Sequence, residues 1–251
     1  MPRLDEKMEY GKIGGVKGFS FSGIRTEHLG ATEYTLVTIA IDVTGSVDGF
    51  EQELRQCLIA AVEACQKSPR SDNLLLRVIL FSGRLSGGIE ELHGFKPLAD
   101  IDPQKDYPAL VTGGGTPLRD ACYSAVGAMN AYGKKLADDD FGVNGITFTI
   151  TDGDDTMSSA TEEMISDEMK KAISGEILES LVSVLIGINA ARYKTTLENF
   201  QRNAGITQYI DAGQATKGKL AKLAQFVSQS VSSQSQALGT GGPSQNIAPV
   251  I

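Results

Sequence analysis

Apolar residues along the chain follow two rhythms in turn. Leu36–Ile41 is a short, β-branched-rich run ending on Asp42, the pattern of a central parallel strand buried on both faces. Leu74–Phe81, Gly145–Thr151, Leu181–Ile188 and Ile206–Ile210 predict further strands, and Ile89–Phe95 a shorter one at an edge. Between these runs the spacing switches to three and four. Phe50, Leu54, Cys57, Ala61 and Cys65 predict an amphipathic helix over Phe50–Lys67, stopped by Ser68 and Pro69. Leu118, Cys122, Ala125, Met129, Tyr132 and Leu136 predict a second, with Thr116 at its N-cap and Pro117 at the first helical position. Ser158–Ser174 reads as a polar surface helix stopped by Gly175. Ala191–Asn203 reads as a helix ended by Gly205, and Leu220, Leu223, Ala224, Val227 and Val231 mark the last one. Pro97–Leu110, with three prolines, reads as loop with a single helical turn.

Strands alternating with helices predict an α/β, doubly wound, Rossmann-like domain. Its mostly parallel sheet of about six strands carries helices on both faces. Residues 1–34 form a Gly-rich N-terminal extension in which Lys12–Phe21 suggests an accessory strand or hairpin. Residues 35–233 form the domain, and residues 234–251, rich in Gly, Ser, Pro and Gln, a flexible tail. There are no internal repeats.

Composition narrows the function. The 251 residues are 41% hydrophobic and 22% charged, a globular balance that supports a core without staples. With 31 acidic against 23 basic residues and no Lys/Arg run, the sequence points away from nucleic acid. No stretch reaches the roughly 18 apolar residues of a membrane span, and the first residues lack a signal-peptide core. A cytoplasmic protein is expected. Cys57 and Cys65 lie eight positions apart on one helix, about 12 Å, too far for a disulfide. They and Cys122 read as small buried hydrophobes in a reducing compartment. His28 and His93 are isolated and read as structural or surface residues.

In doubly wound folds, ligands bind beyond the carboxyl ends of the strands. Three polar clusters fall there: Asp42-Val43-Thr44-Gly45-Ser46, Gly113-Gly114-Gly115-Thr116 and Thr151-Asp152-Gly153. Asp42, Thr44, Ser46, Thr116 and Asp152 supply two carboxylates and three hydroxyls, with no His or Cys among them. Such hard oxygens select Mg²⁺, with Mn²⁺ or Ca²⁺ as other candidates, over zinc or copper. In extended backbone Asp42, Thr44 and Ser46 project to one side. The triple glycine lets the second loop approach closely.

These clusters resemble the metal-ion-dependent adhesion site (MIDAS) of von Willebrand factor A domains, of the stand-alone intracellular bacterial or phage type. That family's pattern is Asp-x-Ser-x-Ser, then Gly-Gly-Thr, then Thr-Asp-Gly. Here it reads Asp42-Val43-Thr44-Gly45-Ser46, Gly114-Gly115-Thr116 and Thr151-Asp152-Gly153, over roughly residues 35–235. Thr44 replaces the usual Ser and keeps the hydroxyl. The resemblance implies that Thr44, Ser46 and Thr116 contact the metal directly, and Asp42 and Asp152 directly or through water. It further implies a non-enzymatic module whose protein partner completes the metal shell with an Asp or Glu.

Two rivals stand beside it. A haloacid-dehalogenase-like phosphohydrolase would use Asp42 as nucleophile, and Asp42-Val43-Thr44-Gly45-Ser46 is similar to the Asp-Lys-Thr-Gly-Thr loop of cation-pumping ATPases. Val43 replaces the lysine, Thr44 is no acid, and the Thr116 loop has no role in that scheme. The other rival is a structural subunit whose metal only stiffens loops. Gly113–Thr116 lacks the lysine of a P-loop, and no serine hydrolase elbow is present. Asp154, Asp155 and Asp138–Asp140 read as solvated turn residues, and Arg119 and Asp120 as helix-surface groups or supports behind the metal ligands.

Overall fold

The computed structural model describes residues 6–175 and 177–241. Eight strands form one sheet: β1 (Met8–Lys12), β2 (Ser20–Ile24), β3 (Glu33–Asp42), β4 (Leu74–Phe81), β5 (Ile89–Pro97), β6 (Gly142–Thr151), β7 (Leu181–Ile188) and β8 (Gln208–Gly213). Their order is β1-β2-β5-β4-β3-β6-β7-β8. The five strands from β4 to β8 across β3 are parallel, as their continuous apolar runs require. β5 runs antiparallel to β4.

Among the described residues six α-helices accompany the sheet, beside short 3-10 turns: α1 (Glu51–Gln66), α2 (Pro103–Asp106), α3 (Leu118–Asp138), α4 (Glu162–Ser174), α5 (Lys194–Asn203) and α6 (Lys217–Thr240). Alternation along β3 feeds two core layers. Val37, Ile39 and Ile41 pack with Leu54, Leu58 and Val62 of α1 and Leu223 and Val227 of α6. Leu36 and Ala40 pack on the other face with Ala121, Cys122 and Met129 of α3. Among the described residues no helix is long and apolar enough to cross a membrane. Cys57, Cys65 and Cys122 are free and buried, and burial pushes each thiol up to about 12.

The structure departs from the sequence-based expectations in four places. The sheet has two strands more than six, because the N-terminal extension supplies an antiparallel pair, β1 and β2, outside β5. Ile89–Phe95 is therefore not at the edge: Phe95 of β5 bridges Gly23 of β2. The helix expected from Ser158 starts at Glu162 with a hydroxyl cap from Thr161, because tertiary hydrogen bonds hold residues 155–160 as loop. Finally, α6 runs to Thr240, well past position 234. Gln234 is buried and its carbonyl accepts from Asn144 Nδ2 at 2.8 Å, while Ser235 binds Arg70. A buried anchor of this kind outweighs the polar composition of the segment. The rest of the expected tail, 242–251, lies outside the described residues.

Candidate metal centre

β3 delivers Asp42 to the carboxyl edge of the sheet, and β6, paired beside it, delivers Thr151 and Asp152. The two strand ends are cross-linked. Thr151 Oγ1 donates to Asp42 Oδ2 at 2.7 Å, and Ser46 Oγ donates to Asp152 Oδ1 at 2.8 Å. The backbone N–H of Thr44 donates to Asp42 Oδ1 at 2.9 Å, and the Thr44 and Ser46 hydroxyls lie 3.2 Å apart. Asp42, Thr44, Ser46 and Asp152 thus form one connected oxygen cluster. Asp42 is 1% exposed. Burial pushes its carboxyl up to about 6, against the hydrogen bonds from Thr44 and Thr151, and nearby Asp152 adds to the rise. Burial also raises Asp152, opposed by the Ser46 hydrogen bond and by Arg192.

The glycine loop docks onto this cluster through its backbone. Gly45 N donates to Gly114 O at 3.2 Å, Gly113 N to Val43 O at 3.1 Å, and Gly83 N to Gly115 O at 2.8 Å. Gly114 has φ 78°, and a Cβ there would stand 2.6 Å from the backbone N of Arg84. Only glycine permits that approach.

Thr116 arrives at the same edge but does not cap α3. The helix begins at Leu118, and Pro117 ahead of it provides no side-chain cap. The first free amides are satisfied from elsewhere: Arg119 N donates to Asp155 Oδ1 at 3.1 Å and Asp120 N to Ser158 Oγ at 2.9 Å. Thr116 itself is held by its backbone, with its N–H donating to Thr156 Oγ1 and its C=O accepting from Thr156 N. Its hydroxyl is used in neither bond.

The loop after β6 therefore does more than its residues advertise. Asp155 is not a solvated turn residue: its side chain is 8% exposed and binds Ser158 as well as α3. Asp120 is fully buried. Its Oδ1 accepts from Ser159 N and Ala160 N, and its Oδ2 pairs with Lys17 Nζ at 2.7 Å. The sequence placed Thr151 in the third cluster but gave it no role of its own, and Thr156 and Ser158 were missed as site residues. The available signal was the hydroxyl density of 151–159 among three acids, Asp152, Asp154 and Asp155. Asp138, Asp139 and Asp140 are exposed at the far end of α3, as expected. His28 is exposed, and His93 is engaged in the sheet.

Among the described residues no three of His, Cys, Asp and Glu gather to hold a metal. A cation here would rest on two carboxylates and hydroxyls. The donor set fits a hard dication: hydrogen bonds gather the oxygens of Asp42, Thr44, Ser46 and Asp152 into one cluster, and burial raises both carboxyl groups.

No protein-family model and no curated protein matches the chain. Solved structures do. Proximal thread matrix protein 1 from the mussel byssus is 19% identical with a TM-score of 0.54, over 80% of this chain and 47% of that one. The pilus adhesin SpaC from Lactobacillus rhamnosus GG is 11% identical with a TM-score of 0.59, over 85% of this chain and 32% of that one. The fold is von Willebrand factor A-like. A form of the byssus protein described as having a zinc-occupied MIDAS motif is 18% identical, with a TM-score of 0.53 over 80% of this chain and 46% of its own. The chain spans less than half the length of each of these structures. At such identities the likeness is one of fold, and the site rests on its own geometry.

Proposed function

We propose that this domain binds a protein partner through one divalent cation, Mg²⁺ in the first place. Asp42, Thr44, Ser46, Thr116 and Asp152 would hold the ion, which supplies an electrophilic position for an Asp or Glu of the partner. Two carboxylates and neutral hydroxyls leave a dication able to attract an outside anion. The observation that carries the reading is the pair of bonds between strand ends, Ser46 to Asp152 and Thr151 to Asp42. They bring together oxygens more than 100 residues apart at the edge where α/β folds bind ligands.

Asp42 itself weighs against the phosphohydrolase reading. Both its carboxylate oxygens accept hydrogen bonds, and the side chain is buried. A nucleophile must present an unshielded oxygen in line with its target.

A pull-down with the purified chain tests the proposal. Partner capture in Mg²⁺ should vanish in EDTA and with Asp42→Ala. Capture that survives both treatments would instead favour a structural subunit, and magnesium-dependent phosphate-ester turnover lost with Asp42→Ala would favour the enzyme.

A further inference from the structure

The metal cluster lies between two exposed arginines. Asp42 ends β3 and Asp152 follows β6, two adjacent inner strands that lie between β4 and β7. Arg84 follows β4 on one side, and Arg192 follows β7 on the other. Arg84 lies against the glycine loop: its Nε donates to Val111 O at 2.9 Å, and its Cδ would stand 3.3 Å from a Cβ on Gly113. Arg192 rests on the Tyr193 ring, 4.6 Å from the centroid, close enough to Asp152 to lower its pKa. Three arginines elsewhere are ion-paired, Arg70 with Glu33, Arg77 with Glu91, and Arg119 with Asp155 and Glu162, whereas Arg25, Arg55 and Arg202 carry no ion pair among the described residues. Among the described residues neither Arg84 nor Arg192 has an acidic partner within ion-pair distance. In a chain of net charge -8, it is the placement of two exposed arginines without an ion pair on opposite flanks of one site that favours an anionic partner there.

The same face exposes apolar side chains. Val111 is 59% exposed and Met157 43%, two of the four large hydrophobics so placed among the described residues. Met157 lies over Gly83 and Gly115 of the docked loops. Negative groups are present too: Asp48 accepts from Thr112, and Asp154 from the N–H of Asp155. A uniformly acidic ligand would meet both, so the positions of its acids matter.

Resting on the metal-dependent reading above, we propose that the partner presents an extended segment with three acids at alternate positions. The central one reaches the cation and the outer two pair with Arg84 and Arg192. An apolar side chain between them packs on Val111 or Met157. Strand spacing sets the register. From β4 to β7 is three intervals, about 14 Å, and four residues of extended chain cover about the same distance. Acids two positions either side of the central one also project to its side of the chain.

Three synthetic peptides test this by fluorescence anisotropy in Mg²⁺ and in EDTA. One carries Glu at the centre and at both outer positions, one has the outer pair changed to Gln, and one has only the centre changed to Gln. The three-Glu peptide should bind in Mg²⁺ only. The Arg84→Gln/Arg192→Gln variant should bind it about three- to tenfold more weakly, as expected for two exposed ion pairs. The same variant should bind the outer-Gln peptide as the unaltered chain does. Equal weakening for both peptides, no weakening for either, or no binding of the three-Glu peptide overturns the inference. Titration of the unaltered chain with Mn²⁺ separates the two levels. Saturable Mn²⁺ binding without arginine dependence removes the segment and leaves the metal site, whereas no Mn²⁺ binding removes the metal reading itself.

Discussion

His93 sits in β5 with both ring nitrogens engaged. Nδ1–H donates to Gly94 O, and Nε2 accepts from the Tyr107 hydroxyl, each at 3.0 Å, with the two rings stacked. The pair bridges β5 to the segment after α2. Burial pushes the imidazole down from 6.5 to about 4, so the folded state keeps it neutral where the unfolded chain would protonate it. The stability it provides is complete above pH 6.5 and is lost as pH falls towards 4. Urea unfolding across that range should show a steeper decline for the unaltered chain than for His93→Gln, which cannot titrate. Parallel curves would contradict this account. Asp120 makes a related point: a carboxylate on a helical face reads as solvated until Lys17 and two amides of a distant loop close around it.

At the scale of elements, the glycine loop is the most constrained piece. Its φ of 78° at Gly114 and the 2.6 Å approach to Arg84 N leave no room for a methyl group. Gly114→Ala should cost at least about 2 kcal/mol by denaturant unfolding and weaken cation binding with it. Unchanged stability would show that the loop can move away from Arg84. The three clusters were legible because each sits at a strand end that the apolar runs mark independently: Asp42 after Leu36–Ile41, Asp152 after Gly145–Thr151, Thr116 before the helix of Leu118 and Cys122. What was not legible is who caps that helix. Local pattern assigns the role to Thr116, whereas Asp155 and Ser158 perform it from 36 to 38 residues away. The same bonds explain why α4 starts late. Helix propensity over Ser158–Thr161 loses to hydrogen bonds that only the folded chain can offer.

Across the whole molecule, the ends of the chain proved the hardest to read. The alternation in the N-terminal extension is diluted by glycine, and Gly23 shows why: a Cβ there would stand 2.6 Å from the Tyr132 ring. Packing an aromatic ring onto bare backbone removes the residue that would have announced a strand. At the other end, 234–240 looks like linker by composition, yet Gln234 and Ser235 pin it to β6 and Arg70, and Leu238 is buried. A chain ending after position 233 should lose about 3 kcal/mol or more, from one buried leucine and the orphaned amide of Asn144. Thermal melting of that truncation beside the full chain checks it, and an unchanged Tm would mean the last turns are dispensable.

Two strand-end carboxylates and their hydroxyl neighbours are proposed to hold one cation. Calorimetric titration with Mn²⁺ tests it most directly, on the unaltered chain and on Asp42→Asn and Asp152→Asn, with circular dichroism to confirm folding. A single saturable site is expected, weakening about tenfold or more when either charge is removed. Binding that is absent from the folded chain, or equal in all three proteins, would contradict it.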